Sequence, residues 1–392
     1  MTTIQDMLPE DMLATFRDRA AGYDERNEFF TEDFEDLRAA GYLRLLVPEE
    51  FGGLGFSLAD AAQAQRRLAA AAPSTALGVN MHHVIVGIAR TLWQRGDDRA
   101  RAIFDQVVAG EVFAFGISEA GNDSVLFDAT TTADPVADGL SLRGTKIFTS
   151  LSPAWTRLLV HARRTDRDDD APDALVFGIL ERGAEGIGIK QDWDALGMRA
   201  SQSCTTVLDG AVLAPGRVLT EIPVGPSPDP VVWGIFGCFE LLLASVYTGI
   251  ADRAIEVAVE IVNKRRSHAR GASYATDPDI RWHIAEAGIL RDGVELQLRQ
   301  LSSDMDSVGT DHEVQHGARW FILFSGLKHR STETARQVVD LALRSSGGSQ
   351  FRRGSELERL YRDVLAGMYH PSDNESVHAA TAKSLLGPVQ TD

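Results

Sequence analysis

The strongest constraint on how this 392-residue chain folds is the order in which its local sequence patterns change. Apolar residues first recur at helical spacing, as in Phe34, Leu37 and Ala40. Six short runs rich in β-branched and aromatic residues follow, and the Gly, Pro, Asp and Asn between them are typical of antiparallel strands. The predicted strands lie in the runs 112–118, 129–136, 140–150, 158–164, 175–181 and 204–213. Beyond a Pro-rich linker the helical pattern returns, with long segments near 232–265, 277–306, 314–346 and 354–369. The predicted fold is therefore α+β, with a helical domain over 1–112, a barrel-like β domain over 113–222 and a helical domain over 223–392.

The same order argues against the common nucleotide-binding folds. Regularly alternating strands and helices are missing, so a doubly wound sheet is not expected. The sequence has no GxGxxG after a strand pattern and no GxxxxGK[ST]. It also has no Cys/His cluster with zinc spacing, so no metal site is predicted. The GxSxG motif of a nucleophilic serine is missing as well.

Composition and charge narrow the class of protein further. The formal net charge of −17 argues against a nucleic-acid or anionic-membrane partner, because both need a basic surface. Two cysteines, Cys204 and Cys238, cannot form a disulfide framework, and the first residues carry no export pattern. A cytoplasmic protein is expected. The acidic stretch Asp166–Asp173 is expected to form a solvated loop between strands.

One apolar segment, Val231–Ala251, is long enough to span a bilayer and contains a single charge, Glu240, near its middle. A carboxylate at that depth of a membrane is costly, and helical patterning continues through Asp252, Arg253 and Glu256. A central helix buried by other helices explains the segment better. Glu240 is then a buried carboxylate, which must be paired, protonated or functional.

Five segments of the chain contain recognisable motifs: Gly41–Gly55, Phe115–Ala133, Leu142–Ser150, Asp192–Pro215 and Arg344–Asp363. They resemble motifs of the acyl-CoA dehydrogenase superfamily, a group of flavoproteins built from a helical, a β and a second helical domain. The resemblance implies a C-terminal four-helix bundle, bound FAD, and a homo-oligomer that is usually a tetramer. FMN is implied instead if the chain resembles the monooxygenases of the superfamily.

The resemblance implies four flavin contacts from the β domain. Ser118 falls where the family contacts the pyrimidine edge of the flavin ring, and Ser124 falls where a hydroxyl contacts the cofactor's phosphates. Phe148 and Ser150 replace the usual Trp and Thr against the ring. An aromatic face and a hydroxyl donor suit a flat ring with polar edges.

The C-terminal part supplies three further cofactor residues by resemblance. In the family, an arginine at the position of Arg266 crosses a subunit interface to the cofactor's pyrophosphate. A guanidinium fits this role because its fixed fork of donors matches phosphate. The family's following Phe-Gly is missing here, so Arg265 is an alternative. Gly347 and Gly348 match the start of the family's G-G-x-G-F motif.

Desaturation of an acyl thioester needs a carboxylate base, and the late Y-E-G-T glutamate of most family members is replaced here by His370–Pro371. A second branch of the family places the base on the long helix after the linker, and Glu240 aligns with that glutamate. Burial raises a carboxylate pKa toward neutrality, where a general base is effective. The leading hypothesis is α,β-dehydrogenation of an acyl thioester by Glu240 and FAD, with an electron-transfer flavoprotein as partner.

A second hypothesis is based on His370. The C-terminal half is also similar to the flavin-dependent monooxygenases of the superfamily, in which a histidine often occupies this position near the flavin. An imidazole there can handle protons during oxygen transfer to a small organic substrate, with reduced flavin coming from a reductase. Glu240 has no obvious role in that mechanism. A third hypothesis, a non-catalytic oligomeric scaffold, explains the flavin-site residues least well.

Overall fold

The computed structural model describes residues 3–164 and 173–388 of the chain. Its described part has the predicted α+β architecture: helices, then one sheet, then helices. Most of the acidic stretch expected to form a solvated loop, residues 166–172, lies outside the described residues.

The N-terminal region packs around one buried helix, α5, whose side chains are buried along almost its whole length. Pro73 begins this helix, a position where the missing N–H of proline costs nothing. The preceding helix, α4, begins with a capping box in which Ser57 and Asp60 satisfy each other's backbone N–H groups. The helices are α1 Ile4–Met7, α2 Glu10–Arg26, α3 Thr31–Ala39, α4 Leu58–Ala71, α5 Pro73–Gln94 and α6 Arg99–Val108.

The described residues of the middle region form one eight-stranded sheet in the order β6-β7-β3-β2-β4-β5-β8, with β1 paired to β4. Its ladders are antiparallel except for the pairings of β1 and β2 with β4, which are parallel. The pairing of β3 with β7 shifts register between Lys146 and Thr149, and this irregularity shapes the site described below. The strands are β1 Phe113–Gly116, β2 Thr132–Val136, β3 Gly139–Thr149, β4 Arg157–Arg164, β5 Ala174–Glu181, β6 Ile187–Ile189, β7 Cys204–Leu213 and β8 Val218–Pro223.

The C-terminal region, as far as residue 388, contains three long helices and two shorter ones. The helix expected from residue 314 begins only at Arg319, because Gly317 adopts a left-handed conformation that helices exclude. The segment expected to be helical up to residue 369 ends its α-helix at Val364 and continues as a 3₁₀ turn, Leu365–Met368. The helices are α7 Pro230–Lys264, α8 Pro278–Asp306, α9 Arg319–Ser346, α10 Glu356–Val364 and α11 Asn374–Leu386.

Helix α7 is the centre of the molecule and contains the apolar segment of the sequence. Among the described residues it is the one helix long and apolar enough to cross a membrane, and 94% of its most apolar window is buried inside the protein. Glu240, on this helix, is 1% exposed. The segment is therefore a core helix, as the sequence predicts.

Gly249 allows α7 to approach α4 closely. A β-carbon added at Gly249 would lie 2.2 Å from the carbonyl oxygen of Arg66, far inside van der Waals contact.

We expect Gly249→Ala to lower the free energy of unfolding by about 1–3 kcal/mol through overpacking, measured by guanidinium unfolding. The control is Gly293→Ala on α8, where no atom lies within 4 Å of the added carbon. That substitution should be neutral or stabilising by about 0.5–1 kcal/mol, and equal effects at both sites would contradict the packing argument.

Candidate active site

Two cavities meet where the sheet joins the C-terminal helices. Cavity A, of about 220 Å³, lies between the 196–198 loop, strand β3 and the segment after α10. Cavity B, of about 260 Å³, lies between α7, α9, α11 and the 123–127 loop. Phe115, Phe239 and Pro371 line both cavities, and the rings of Phe115 and Phe239 stack with their centroids 5.4 Å apart. The two cavities are therefore adjacent compartments of one site, separated by this aromatic pair.

An aromatic side chain projects into cavity A from the irregularity in strand β3. Phe148 lies in the register shift with φ +58°, an uncommon conformation for a residue with a β-carbon. The strand pairing stabilises this conformation, and the side chain remains 51% exposed. Its ring meets the edge of Trp193 with the centroids 6.1 Å apart. The result is an apolar wall of the kind that packs against a flat aromatic ligand.

Hydroxyl groups form the polar side of cavity A. The side-chain oxygens of Ser150 and Ser203 lie 2.8 Å apart, and those of Ser203 and Ser201 are also 2.8 Å apart. Ser118 lies beside them, after β1, and its carbonyl accepts a hydrogen bond of 2.9 Å from the N–H of Ile147. Hydroxyls can donate or accept, so this edge can pair with either kind of polar atom on a ligand.

The opposite wall of cavity A is held by the Arg-Asp pair at the end of α10. A carboxylate oxygen of Asp363 accepts a hydrogen bond of 2.6 Å from the N–H of Met198, and Arg362 donates to the carbonyl of Leu196 at 3.0 Å. Gly197 lies between them. A β-carbon there would lie 2.2 Å from the carbonyl oxygen of Arg362, so only glycine permits this approach.

His370 lies at the edge of cavity A and is held by its backbone. Its carbonyl accepts a hydrogen bond of 2.9 Å from the ammonium of Lys328, which also binds the carbonyls of Gly367 and Ser372. The imidazole packs edge-to-face on Tyr247 with the centroids 5.8 Å apart, and its Nδ1 has no partner among the described residues. Burial, with a smaller effect of Lys328, lowers the pKa of His370 to about 3. The imidazole is therefore neutral, and its Nδ1 has no hydrogen-bond partner among the described residues.

Glu240 lies on the other side of the aromatic pair, in cavity B. The hydroxyl of Ser372 donates to its Oε1 at 2.5 Å, whereas its Oε2 has no partner in the described part of the chain. Burial raises the pKa of Glu240 above its usual range, and the nearby charge of Lys328 opposes that rise. Lys328 forms no ion pair with Glu240, since its ammonium is taken up by the three backbone carbonyls.

Backbone strain is concentrated around the two cavities. Seven non-glycine residues of the described chain have a positive φ. Four of them line a cavity, namely Phe148 and Met198 in cavity A and Val125 and Ser372 in cavity B. Such conformations cost about 1–3 kcal/mol each and persist where the surrounding structure fixes them, which is common at functional sites.

A buried ion pair supports the β side of the site. The ammonium of Lys146 lies 2.7 Å from Glu119 and 3.0 Å from Nδ1 of His161, and the side chains of Glu119 and Lys146 are 1% and 0% exposed. Glu119 follows Ser118, and its carboxylate also accepts the N–H groups of Thr130 and Thr131. Lys146 and these donors hold the pKa of Glu119 at about 2 despite its burial. The cluster ties the loop after β1 to strand β3.

The structure separates the sequence-predicted site residues into three groups. Cavity A brings together four of them, and cavity B two. The remaining three line neither cavity. Arg266 donates to the carbonyl of Gly271 at 2.6 Å, and Arg265 donates to the carbonyl of Ser346. The groups are Ser118, Phe148, Ser150 and His370 in cavity A; Ser124 and Glu240 in cavity B; and Arg266, Gly347 and Gly348 elsewhere.

Several site residues were not predicted from the sequence. Ser201 and Ser203 fall on the Ser and Thr of the family's L-G-x-R-x-S-x-T segment, so that motif could have identified both. Lys328 and Ser372 carry no such signal, because only the packing of α9 against the segment after α10 makes them neighbours of Glu240 and His370.

Comparison with known proteins agrees with this architecture. The N-terminal, middle and C-terminal domain models of acyl-CoA dehydrogenases match residues 2–111, 114–211 and 241–375. An L-evernosamine nitrososynthase from Micromonospora sp. is 32% identical over 93% of this chain and 85% of its own length. A Bacillus subtilis protein provisionally named an acyl-CoA dehydrogenase is 28% identical over 94% of this chain and 93% of its own. KijD3, solved with FMN and a dTDP-linked 3-amino-4-keto sugar, is 28% identical, with a TM-score of 0.86 over 99% of this chain and 94% of that one.

The chain belongs to the acyl-CoA dehydrogenase family, and it is a flavin-dependent oxidoreductase of that family.

Proposed function

We propose that the protein is a flavin-dependent monooxygenase that oxygenates a small organic substrate, with the flavin ring in cavity A. The observation that carries this proposal is the position of His370. A neutral imidazole with a free nitrogen lines cavity A, whereas Glu240, the candidate base for desaturation, lies beyond the Phe115–Phe239 pair. The similarity to a nitrososynthase supports the same conclusion, because forming a nitroso group requires oxygen to be added to nitrogen.

The residues of cavity A fit a flavin. Phe148 and Trp193 offer an apolar face, and Ser118, Ser150 and Ser203 offer hydroxyls to the polar edge of a ring. A reduced flavin held here would supply the two electrons needed to transfer one oxygen atom of dioxygen to the substrate and release the other as water. The protein's contributions are to hold the ring, exclude water with the aromatic pair and offer His370 as a proton acceptor. FMN is our proposed cofactor, since KijD3 was solved with it.

A second candidate is the desaturation of an acyl thioester with FAD and an electron-transfer flavoprotein. The observation in its favour is Glu240 itself, a buried carboxylate with one oxygen that has no partner among the described residues and with a pKa raised by burial. The Bacillus subtilis relative is consistent with it. Adding a panel of acyl-CoA thioesters to the flavin-loaded protein without oxygen separates the two candidates. Desaturation bleaches the flavin absorption band, whereas the proposed monooxygenase leaves it unchanged.

The flavin assignment predicts a role for Ser150. We expect Ser150→Ala to weaken FMN binding about 3- to 10-fold, because one hydrogen bond to the ring edge is lost, measured by quenching of FMN fluorescence. Ser303→Ala, on the exposed face of α8, is the matched control and should leave the affinity unchanged. An unchanged affinity in Ser150→Ala would remove this hydroxyl from the flavin site.

We further propose that the protein acts as a homo-oligomer and receives reduced flavin from a separate reductase. From Glu240 to the end of α7 at Lys264 the helix rises about 36 Å, so Arg266 lies far from both cavities of its own chain. We propose that Arg266, Gly347 and Gly348 contact the flavin of a neighbouring subunit. The ranges 1–112, 113–222 and 223–392 remain our proposed domains.

A further inference from the structure

The walls of cavity B are mostly apolar and include five phenylalanine side chains. Phe236 on α7 and Phe321 on α9 approach with their ring centroids 5.0 Å apart, and Phe127, Phe239 and Ile322 extend the same surface. None of the residues that line this cavity in the described ranges, 3–164 and 173–388, is Lys, Arg or His. A ligand that places phosphate groups here would find no positive partner, which is costly for a buried anion.

One polar group in cavity B lacks a partner. Glu240 is 1% exposed, and its Oε2 accepts no hydrogen bond from the described chain, although Ser372 donates to the other oxygen. Buried carboxylate oxygens are almost always hydrogen-bonded, since leaving one unpaired costs free energy. The missing partner must fit an aromatic cavity and donate a hydrogen bond to a carboxylate. Lys328 does not fill this role, because its ammonium is bound to the carbonyls of Gly367, His370 and Ser372.

We infer that cavity B binds a small apolar amine and that Glu240 pairs with its amino group. The aromatic walls hold the hydrocarbon part of the ligand, and the free carboxylate oxygen accepts an N–H. This inference deepens the proposed function, on which it rests for its chemistry: the bound amine is the substrate that is oxygenated. It also gives Glu240 a role in a monooxygenase.

An amine accepts oxygen only through its nitrogen lone pair, so the ammonium form must first lose a proton. Glu240 is placed to take that proton. The ammonium binds as an ion pair with Glu240, and transfer of one proton to the carboxylate then frees the nitrogen lone pair while both buried charges disappear. The overall reaction then balances as R–NH₂ + O₂ + reduced flavin → R–NHOH + H₂O + oxidised flavin. Dioxygen is the oxidant, reduced flavin supplies two electrons and two protons, and one N–O bond forms.

The inference is tested by binding, without flavin or turnover. Isothermal titration calorimetry of the full chain at constant pH compares 2-phenylethylamine with 2-phenylethanol, which has the same shape but cannot carry the charge. We expect the wild-type protein to bind the amine about 10- to 100-fold more tightly, the range expected for a charge-assisted hydrogen bond. Glu240→Gln preserves the size of the side chain and a partner for Ser372, and should reduce this preference to about 3-fold or less.

Glu260→Gln is the matched control, since it neutralises an exposed glutamate on the same helix and should keep the wild-type preference. Equal binding of amine and alcohol by the wild-type protein would overturn the inference whether or not the variant folds. Displacement of the amine by dTDP, or tighter binding of dTDP itself, would overturn the apolar substrate class. If neither 2-phenylethylamine, 2-phenylethanol nor dTDP binds, cavity B is not a ligand-binding site of the proposed kind. None of these binding results depends on the reaction with dioxygen. The proposed monooxygenase activity can therefore fail or hold independently of amine binding in cavity B.

Discussion

Replacing His370 by asparagine is expected to lower the rate of substrate-dependent oxygenation about 100-fold or more, the usual loss when a positioned acid or base is removed. Asparagine keeps a polar side chain of similar size but cannot take up a proton. The imidazole lines cavity A with its Nδ1 free, and its pKa of about 3 keeps it neutral at ordinary pH. The measurement is product formation with reduced FMN and dioxygen, alongside FMN affinity, which should change little.

The control for His370 is His312→Asn, in an exposed loop before α9, which should keep full activity. The pH dependence provides an independent check. A histidine with an ordinary pKa would lose its proton-accepting form below about pH 6.5. Because the pKa of His370 is lowered, its neutral form should persist as the pH falls from 8 to 5. A His370→Asn protein with the wild-type rate would remove this residue from the reaction.

Lys146→Met is expected to destabilise the protein by about 3–5 kcal/mol, since it leaves the carboxylate of Glu119 buried without its cation. Lys146 is fully buried, and its ammonium also contacts His161. Water therefore cannot easily reach Glu119 and solvate its carboxylate once the ammonium is removed. Guanidinium unfolding measures the loss. FMN affinity should fall as well, because Glu119 ties the loop that begins at Ser118 to strand β3.

The matched control is Arg143→Met on the same strand. Arg143 also pairs with a carboxylate, Asp209, but the two side chains are 59% and 78% exposed. Exposed ion pairs contribute about 0–1 kcal/mol, so this substitution should barely change the unfolding midpoint. If Lys146→Met were no more destabilising than Arg143→Met, Glu119 would have to be protonated or solvated in the folded protein, contrary to the low pKa that its donors impose.

Much of the fold could be predicted because the period of the apolar residues changes along the chain. The strand runs around Phe113, Lys146 and Phe177 and the helix around Glu240 all appear where the patterns place them. The two strands missing from the sequence prediction, β6 and β8, are a three-residue strand and an edge strand. Short and half-exposed strands carry little periodic signal, and their pairing is decided by the neighbouring strands.

Site residues could be predicted from the sequence only where they belong to recognisable family motifs. Motifs identified Ser118, Phe148, Ser150 and His370, which meet in cavity A although distant parts of the chain supply them. The division between the two cavities was beyond the sequence, because it depends on the ring of Phe115 stacking on that of Phe239, a tertiary contact without local pattern. This division reverses the order of the two functional hypotheses. Glu240 was identified correctly as buried, and we propose an amine rather than an acyl thioester as its partner.

We propose above all that the protein transfers one oxygen atom from dioxygen to a small organic substrate. The most direct measurement is mass spectrometry of products formed in ¹⁸O₂ by the FMN-loaded protein with reduced FMN and a panel of small apolar amines and sulfides. We expect a product that contains one ¹⁸O atom from dioxygen, and no reaction of acyl-CoA thioesters in the absence of oxygen. Conversion of an acyl-CoA to its α,β-unsaturated thioester without oxygen, with bleaching of the flavin and no labelled product, would contradict it.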